Sequence, residues 1–211
     1  MIIWIASYPK SGNTWVRSFL SNYLSNQSKF NFGLLSKITK FPNKNIINEM
    51  NIDHSNFMNI ASNWIAMQEL INLKNDFTYL KTHNAMTTVA GHKFTDSKNT
   101  SGYIYIVRDP RDVLLSYASH LGESINETFN ILTDDYSFEV SDIITENKSI
   151  LLGSWSNNYR SWKNSKFAKG LILRYEDLVL EPLKNFTKII EFINTINGLE
   201  INKEKIALCC E

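Results

Sequence analysis

The chain begins with an apolar run, Ile2–Ser7, which leads directly into Tyr8-Pro9-Lys10-Ser11-Gly12-Asn13-Thr14-Trp15. Behind that segment, apolar and aromatic residues recur at helical spacing as far as Leu24. The sequence therefore predicts a strand, a tight loop and a helix, in that order. Backbone N–H groups at the start of such a helix bind anions, and Gly12 lets a ligand approach the backbone closely. We predict an anion-binding loop here.

The lysine of this loop stands in an unusual place. In the common nucleotide loop, G-x-x-x-x-G-K-[ST], lysine follows the second glycine, whereas Lys10 precedes Gly12. Lys10 adds a positive charge, and Ser11 and Thr14 add hydroxyl donors. The hydroxyl that holds magnesium in the common loop has no assignable counterpart. By itself the loop indicates an anion site and does not identify the anion.

Three further runs rich in β-branched and aromatic residues predict strands over residues 77–81, 103–108 and 171–175. They show little alternation of polar and apolar residues, as is typical of strands that are covered on both faces. Helical patterns lie between them, with predicted starts at Asp109-Pro110, Ser154 and Pro182. This alternation predicts an α/β fold, a P-loop-like doubly wound parallel sheet flanked by helices.

Three stretches, residues 29–73, 84–100 and 122–152, fit no strand-helix unit well. Insertions of this kind in an open α/β sheet lie over the carboxyl ends of the strands, where substrates bind. The chain contains no internal repeat and no Pro-rich or Gly-rich linker. We therefore expect a single domain over residues 1–211.

The overall composition excludes several classes of function. The 211 residues carry 22 basic and 21 acidic side chains, a net charge of +1, so no broad positive field attracts a polyanion and we expect no nucleic-acid partner. The two cysteines are adjacent at Cys209 and Cys210, which excludes a disulfide framework. No apolar stretch approaches the roughly 20 residues that span a bilayer. These features predict a soluble, cytoplasmic protein.

A second anion site is indicated at the end of the predicted strand 103–108. Arg108 ends that strand, and Ser116 lies two turns along the following helix, so both side chains can reach one anion. On the residues alone, Arg108 is equally able to pair with Asp112, and Ser116 equally fits an ordinary helix position. The position of this pair after the first loop favours a ligand with two anionic groups.

Lys81 and His83 end the predicted strand 77–81, and residues two apart project to the same side of an extended chain. A histidine, with a reference pKa of about 6.5, can accept a proton at neutral pH. A histidine at a strand end is more often structural, so this pair alone does not establish catalysis.

Taken together, these segments resemble the cytosolic-type sulfotransferases, which use 3′-phosphoadenosine 5′-phosphosulfate (PAPS). Residues 8–15 resemble the 5′-phosphosulfate loop of that family, with Asn13 where the family usually has threonine. Arg108 and Ser116 match the family's 3′-phosphate residues, and Lys-Thr-His at residues 81–83 matches its catalytic segment.

The resemblance implies transfer of a sulfuryl group from PAPS to a hydroxyl of a small molecule or carbohydrate, without a metal, and with adenosine 3′,5′-bisphosphate (PAP) as product. His83 is then the general base, Lys10 lies at the leaving oxygen, and Lys81 holds the sulfuryl oxygens. The residues implied to bind the nucleotide are Lys10, Ser11, Gly12, Asn13, Thr14, Trp15, Arg108, Ser116 and Tyr175. Trp15 and Tyr175 are implied to contact adenine, although core packing explains Tyr175 equally well.

The resemblance ends at the C-terminus. Family members continue into an Arg-Lys-Gly type loop that covers the 3′-phosphate, and no such segment occurs here. We expect this domain to lack that cover. Two other hypotheses stay open at this point, namely a P-loop-type kinase, which the residue order in the loop opposes, and a nucleotide-binding protein without catalysis. The oligomeric state cannot be predicted from the sequence.

Overall fold

A computed structural model describes residues 1–25, 31–73, 77–139 and 150–210 of the chain. Within these ranges, five parallel strands form one central sheet, and a two-stranded antiparallel hairpin lies outside it. The strands are β1 (Ile2–Ser7), β2 (Thr39–Lys40), β3 (Thr78–Thr82), β4 (Thr88–Val89), β5 (His92–Lys93), β6 (Thr100–Val107) and β7 (Lys169–Arg174). The sheet order is β2-β3-β1-β6-β7, which confirms the predicted α/β fold.

Helices flank this sheet, and a 3-10 helix covers Phe32–Lys37. The α-helices are α1 (Asn13–Tyr23), α2 (Lys44–Glu49), α3 (Phe57–Ser62), α4 (Trp64–Asn72), α5 (Pro110–Leu121), α6 (Ile125–Thr133), α7 (Trp155–Lys163), α8 (Tyr175–Leu180), α9 (Pro182–Asn197) and α10 (Lys203–Cys210). Within the described ranges, no helix is both long and apolar enough to span a membrane.

The central strand β1 is buried on both of its faces. Ile3 and Ile5 point into one cluster, with Phe19 of α1 and Ile190 of α9. Trp4 lies on the opposite face, in a cluster rich in aromatic side chains, among them Trp64 of α4, Trp162 of α7 and Phe94, which follows the hairpin. This two-sided burial explains why the predicted strands show no clear alternation of polar and apolar residues.

The order of the strands places the functional segments together. The chain runs from β1 to the edge strand β2, returns to β3 beside β1, and then crosses to β6 on the other side of β1. The carboxyl ends of β3, β1 and β6 therefore lie side by side at the point where the strand order reverses. Ligands of open α/β sheets bind in the crevice at such a point.

The four predicted strands are confirmed, with ends within three residues of those observed. The predicted helix starts are confirmed as well, because Asp109 and Ser154 accept hydrogen bonds from helix amides and Pro182 opens α9. The edge strand β2 was not predicted, since two residues are too few to carry a periodic pattern.

Candidate active site

The loop between β1 and α1 has the backbone conformation of a ligand cradle. Lys10 has φ of 63° and Gly12 has φ of 95°, both in the left-handed region. A Cβ atom on Gly12 would lie 2.5 Å from Cδ2 of Tyr175, so only glycine fits at this position. Gly12 is the N-cap of α1 and provides no side-chain cap. The first amides of α1 are therefore free to bind an anion.

Arg108 follows β6 and is fixed against this loop. Its guanidinium NH1 group donates to the carbonyl of Lys10 at 3.0 Å, and its Cζ lies 4.5 Å from the centre of the Tyr175 ring. Its Nε is buried and has no hydrogen-bond partner among the described residues. A buried N–H group without a partner is costly, so this atom fits an anionic ligand bound beside the loop.

His83 lies directly after β3 and is almost completely buried, with 7% of its surface exposed. Its Nδ1 is 2.6 Å from the carbonyl oxygen of Ser7. Because a carbonyl oxygen can only accept, Nδ1 carries the proton and Nε2 holds the free lone pair. Burial, together with the charge of Lys81, lowers the pKa of His83 to about 3. At neutral pH the imidazole is therefore uncharged, with its lone pair on Nε2.

A network of hydrogen bonds holds the backbone at His83. Asn158 of α7 donates from Nδ2 to the carbonyls of His83 and Leu152, at 3.0 and 2.8 Å. The hydroxyl of Tyr105, on β6, donates to Oδ1 of Asn158 at 2.8 Å. Trp162 donates from Nε1 to the carbonyl of Asn84 at 3.0 Å. Asn158 and Trp162 of α7 thus fix the backbone of residues 83 and 84.

These segments enclose a cavity of about 630 Å³, within the range of roughly 300–1,000 Å³ that is usual for ligand sites. Every residue that the sequence predicted for the site lies on its wall, with the exception of Ser11. The remaining wall includes His120 and Tyr117 of α5, whereas His54 and His92 do not line it. The lining residues are Pro9, Lys10, Gly12, Asn13, Thr14, Trp15, Lys81, His83, Arg108, Ser116, Tyr117, His120, Glu139 and Tyr175.

Two polar side chains of the loop point into the protein. The side chain of Ser11 is fully buried, and its hydroxyl lies 3.5 Å from the carbonyl of Pro9. Asn13 donates from Nδ2 to the carbonyl of Ile5 and to Oγ of Ser7, at 3.0 and 3.3 Å. These side chains brace the loop against β1, and their contacts with a nucleotide stay a prediction.

Two aromatic rings mark one end of the cavity. Trp15 and Tyr175 meet edge to face, with ring centres 6.4 Å apart. Trp15 also packs against Phe186 of α9. Trp15 and Tyr175 therefore take part in packing between side chains and also line the cavity. Their contact with adenine stays a prediction.

Glu139 is a cavity residue that the sequence did not reveal. Its Oε2 lies 3.0 Å from Nζ of Lys40, and its Oε1 lies 4.0 Å from Nζ of Lys81. Glu139 lies in the segment 122–152, which has no periodic pattern, and no sequence signal connects it with Lys40 or Lys81. The general expectation that this insertion covers the strand ends would have been the one available clue.

The chain belongs to the sulfotransferase domain family, because residues 2–207 match the model of that family. Curated relatives of the chain are sulfotransferases. Flavonol 3-sulfotransferase of Flaveria bidentis is 26% identical over 197 residues, which cover 90% of this chain and 56% of that protein. Luciferin sulfotransferase of Photinus pyralis is 24% identical over 205 residues, which cover 96% of this chain and 52% of that protein. The chain thus spans about half the length of these relatives.

Solved structures show the same fold. A crystal structure of retinol dehydratase, in complex with androsterone and the inactive cofactor PAP, matches with a TM-score of 0.58 at 15% identity. The match covers 99% of this chain and 63% of that one. At this level of identity the likeness establishes a common fold and does not identify the ligands of this chain.

Proposed function

We propose that this protein transfers a sulfuryl group from PAPS to a hydroxyl group of a small molecule. One observation carries the proposal, namely that a buried, uncharged histidine shares a cavity with three cationic side chains. His83 keeps Nε2 available to accept a proton, and Lys10, Lys81 and Arg108 line the same cavity. A proton acceptor beside fixed positive charges is what transfer of an anionic group to a hydroxyl requires.

The residues divide the reaction between them. The acceptor hydroxyl gives its proton to Nε2 of His83 as its oxygen forms a bond to sulfur. The bond between sulfur and the bridging oxygen breaks, and PAP leaves with the electron pair. Lys10 stabilises the negative charge on the leaving oxygen, and Lys81 stabilises the sulfuryl oxygens. In this scheme the side chains supply the cations, so no divalent metal is needed.

The remaining residues that line the cavity support binding of the nucleotide. The uncapped start of α1 suits the 5′-phosphosulfate, and Arg108, with its unpaired Nε, suits the 3′-phosphate together with Ser116. Trp15 and Tyr175 offer ring surfaces to adenine. The family relation supports the same donor, while no feature of the described residues favours a kinase.

The names of the relatives, which refer to flavonols and luciferin, support a small-molecule acceptor. We propose a hydroxyl on a compact organic molecule, with a carbohydrate as the second choice. A cytoplasmic location and the lack of a nucleic-acid partner stay expectations from composition.

A transfer assay tests this function. The protein is incubated with PAPS labelled with ³⁵S and with a panel of flavonols, simple phenols, retinol and a monosaccharide, in the presence of EDTA. We expect labelled product from at least one acceptor, and no increase when magnesium replaces EDTA. Magnesium-dependent binding of ATP, without binding of PAP, would contradict the proposal.

A further inference from the structure

Glu139 is held at the cavity by a short pairing of two chain segments. Phe138 and Leu151 form an antiparallel bridge, and the amide of Glu139 donates to the carbonyl of Ile150 at 3.0 Å. The amide of Leu152 donates in turn to the carbonyl of Ser137 at 2.9 Å. The backbone on which Glu139 lies is therefore fixed beside the catalytic segment.

The carboxylate of Glu139 lies between two lysines on neighbouring strands. Lys40 of β2 and Lys81 of β3 are register partners, so their side chains leave the sheet side by side. The side chains of Glu139 and Lys81 are only 15% and 13% exposed, whereas that of Lys40 is 32% exposed. Among the described residues that line the cavity, Glu139 is the only carboxylate.

The surroundings of Lys81 oppose its positive charge. Lys40 approaches from β2, and Arg17 approaches from α1, where its guanidinium donates to the carbonyls of Leu35 and Ile38 at 3.2 and 2.8 Å. His83, on the same segment as Lys81, is uncharged and adds no further positive charge. Among the described residues, Glu139 is the group that favours the ammonium form of Lys81.

The pKa of Lys81 reflects this balance. Burial, with smaller contributions from Lys40 and Arg17, lowers the pKa of Lys81 to about 8, while Glu139 acts in the opposite direction. Burial by itself would raise the pKa of Glu139, but the neighbouring cations Lys81 and Lys40 help to bring it below its usual value. Glu139 is therefore ionised at neutral pH. The pKa of Lys81 lies only slightly above neutral pH, so a small change in its surroundings alters the charged fraction of Lys81.

We propose that Glu139 is a positioning residue, which keeps Lys81 charged and fixed at the cavity wall beside His83. The inference rests on the proposed function, since only a charged Lys81 can stabilise the sulfuryl oxygens during transfer. Glu139 need not contact donor or acceptor for this role. Glu139 affects the reaction indirectly, by keeping Lys81 charged and in place.

The protonation of Lys81 can be measured without any enzymatic assay. Trace acetylation with acetic anhydride modifies only the neutral amine, and mass spectrometry of the peptide containing Lys81 gives the pH at which half of Lys81 is reactive. We expect a midpoint near pH 8 for the wild type. In Glu139→Gln we expect the midpoint to fall by about one pH unit or more, the usual effect of a close opposite charge. An unchanged midpoint would overturn the proposal.

Three further variants separate an electrostatic role from a merely structural one. Lys40→Met removes a like charge, so the midpoint of Lys81 should rise, opposite to the shift in Glu139→Gln. If Glu139 served only to anchor its segment to Lys40, both variants would move the midpoint in the same direction. Glu139→Asp keeps the charge and should retain a midpoint near the wild-type value, even if Glu139→Gln is poorly folded. Glu191→Gln, at an exposed position on α9, is the control and should change nothing.

The pH profile of sulfuryl transfer provides the second measurement. Loss of the proton from Lys81 should set the alkaline limit of turnover, and Glu139→Gln should move that limit to lower pH by the same interval as the labelling midpoint. A uniform loss of rate at every pH would contradict the role proposed for Glu139. Absence of transfer by the wild type would instead refute the proposed function, and the labelling result would still decide how Glu139 acts on Lys81.

Discussion

The carboxyl ends of β3 and β6 lie on either side of the loop that follows β1, yet they differ in character. The end of β3 is buried, and His83 there is kept uncharged by burial and by Lys81. The end of β6 is half-exposed, and Arg108 there presents a planar guanidinium group with several N–H donors. Burial adjusts the proton affinity of an imidazole, whereas an anion is bound best by charged donors of fixed geometry. We infer that the residues at the β3 end carry out the transfer and that those at the β6 end bind the nucleotide.

The two ends are nevertheless mechanically connected. Tyr105 projects from β6 to Asn158, and Asn158 fixes the carbonyl of His83. Arg108, directly after β6, donates to the carbonyl of Lys10 in the loop. Residues of β6 and its end thus help to position both the β3 end and the loop after β1, although the chemical tasks of the two ends differ.

The largest effect is expected at the β3 end. His83→Ala should reduce turnover by about 10²–10⁴-fold, the usual contribution of a general base. The affinity for PAP, measured by calorimetry, should stay close to that of the wild type, which also shows that the variant is folded. His54→Ala is the matched control, because His54 lies outside the cavity and its loss should leave turnover unchanged. Turnover retained in His83→Ala would exclude His83 as the base.

The second effect is expected at the β6 end. Arg108→Ala should weaken PAP binding by about 10–100-fold, because a hydrogen bond to a charged group contributes about 1.5–3 kcal/mol. The dissociation constant is again measured by calorimetry. Arg174→Ala provides the control, since Arg174 ends the neighbouring strand β7 but does not line the nucleotide cavity. Equal weakening in both variants would point to general electrostatic attraction and against a specific site.

The third prediction concerns the connection between the ends. Asn158→Leu leaves the carbonyls of His83 and Leu152 without their donor, which should lower the free energy of unfolding by about 1–3 kcal/mol. Denaturant titration measures this change. Asn157→Ala removes the exposed neighbouring asparagine and should change stability by no more than about 0.5 kcal/mol. A similar small change in Asn158→Leu would show that the network does not hold the catalytic segment.

The smallest effect is a dependence of stability on pH. His83 has its pKa lowered to about 3 in the folded protein, against about 6.5 in the unfolded chain, so the unfolded state binds more protons between these values. The contribution of the uncharged His83 to the stability of the folded protein is fully present above pH 6.5 and is lost as the pH falls toward 3. When the pH is lowered from 7.5 to 5.5, the free energy of unfolding, measured by denaturant titration, should fall by about 1 kcal/mol more in the wild type than in His83→Asn. An equal decrease in the free energy of unfolding of the two proteins over this pH range would contradict a buried, uncharged His83.

Most of the candidate residues at the carboxyl ends of β3 and β6 could be predicted from the sequence, because their positions depend on the pattern of neighbouring residues. Lys10 through Trp15, Lys81 with His83, and Arg108 with Ser116 each stand at a strand-helix junction, where the pattern of neighbouring residues fixes their place. Parallel strands then bring these junctions together. The caps at Asp109 and Ser154 are predictable for the same reason.

The parts that the sequence did not predict depend on contacts between distant segments. Glu139 meets Lys40 and Lys81 from a segment without periodicity, and β2 forms only because two residues pair with β3. The inward orientation of Ser11 and Asn13 depends on the backbone conformation of the loop, which residue types do not determine. The proton position on His83 follows from one carbonyl, that of Ser7, on another strand.

The division between the two ends can be measured most directly by single-turnover transfer at saturating PAPS, with His83→Ala and Arg108→Ala compared side by side. At saturation the binding defect is compensated, so Arg108→Ala should transfer at a rate close to that of the wild type. His83→Ala should remain slower by about 10²–10⁴-fold, because no concentration of donor replaces the base. An equal loss of rate in both variants would contradict the separation of reaction from binding.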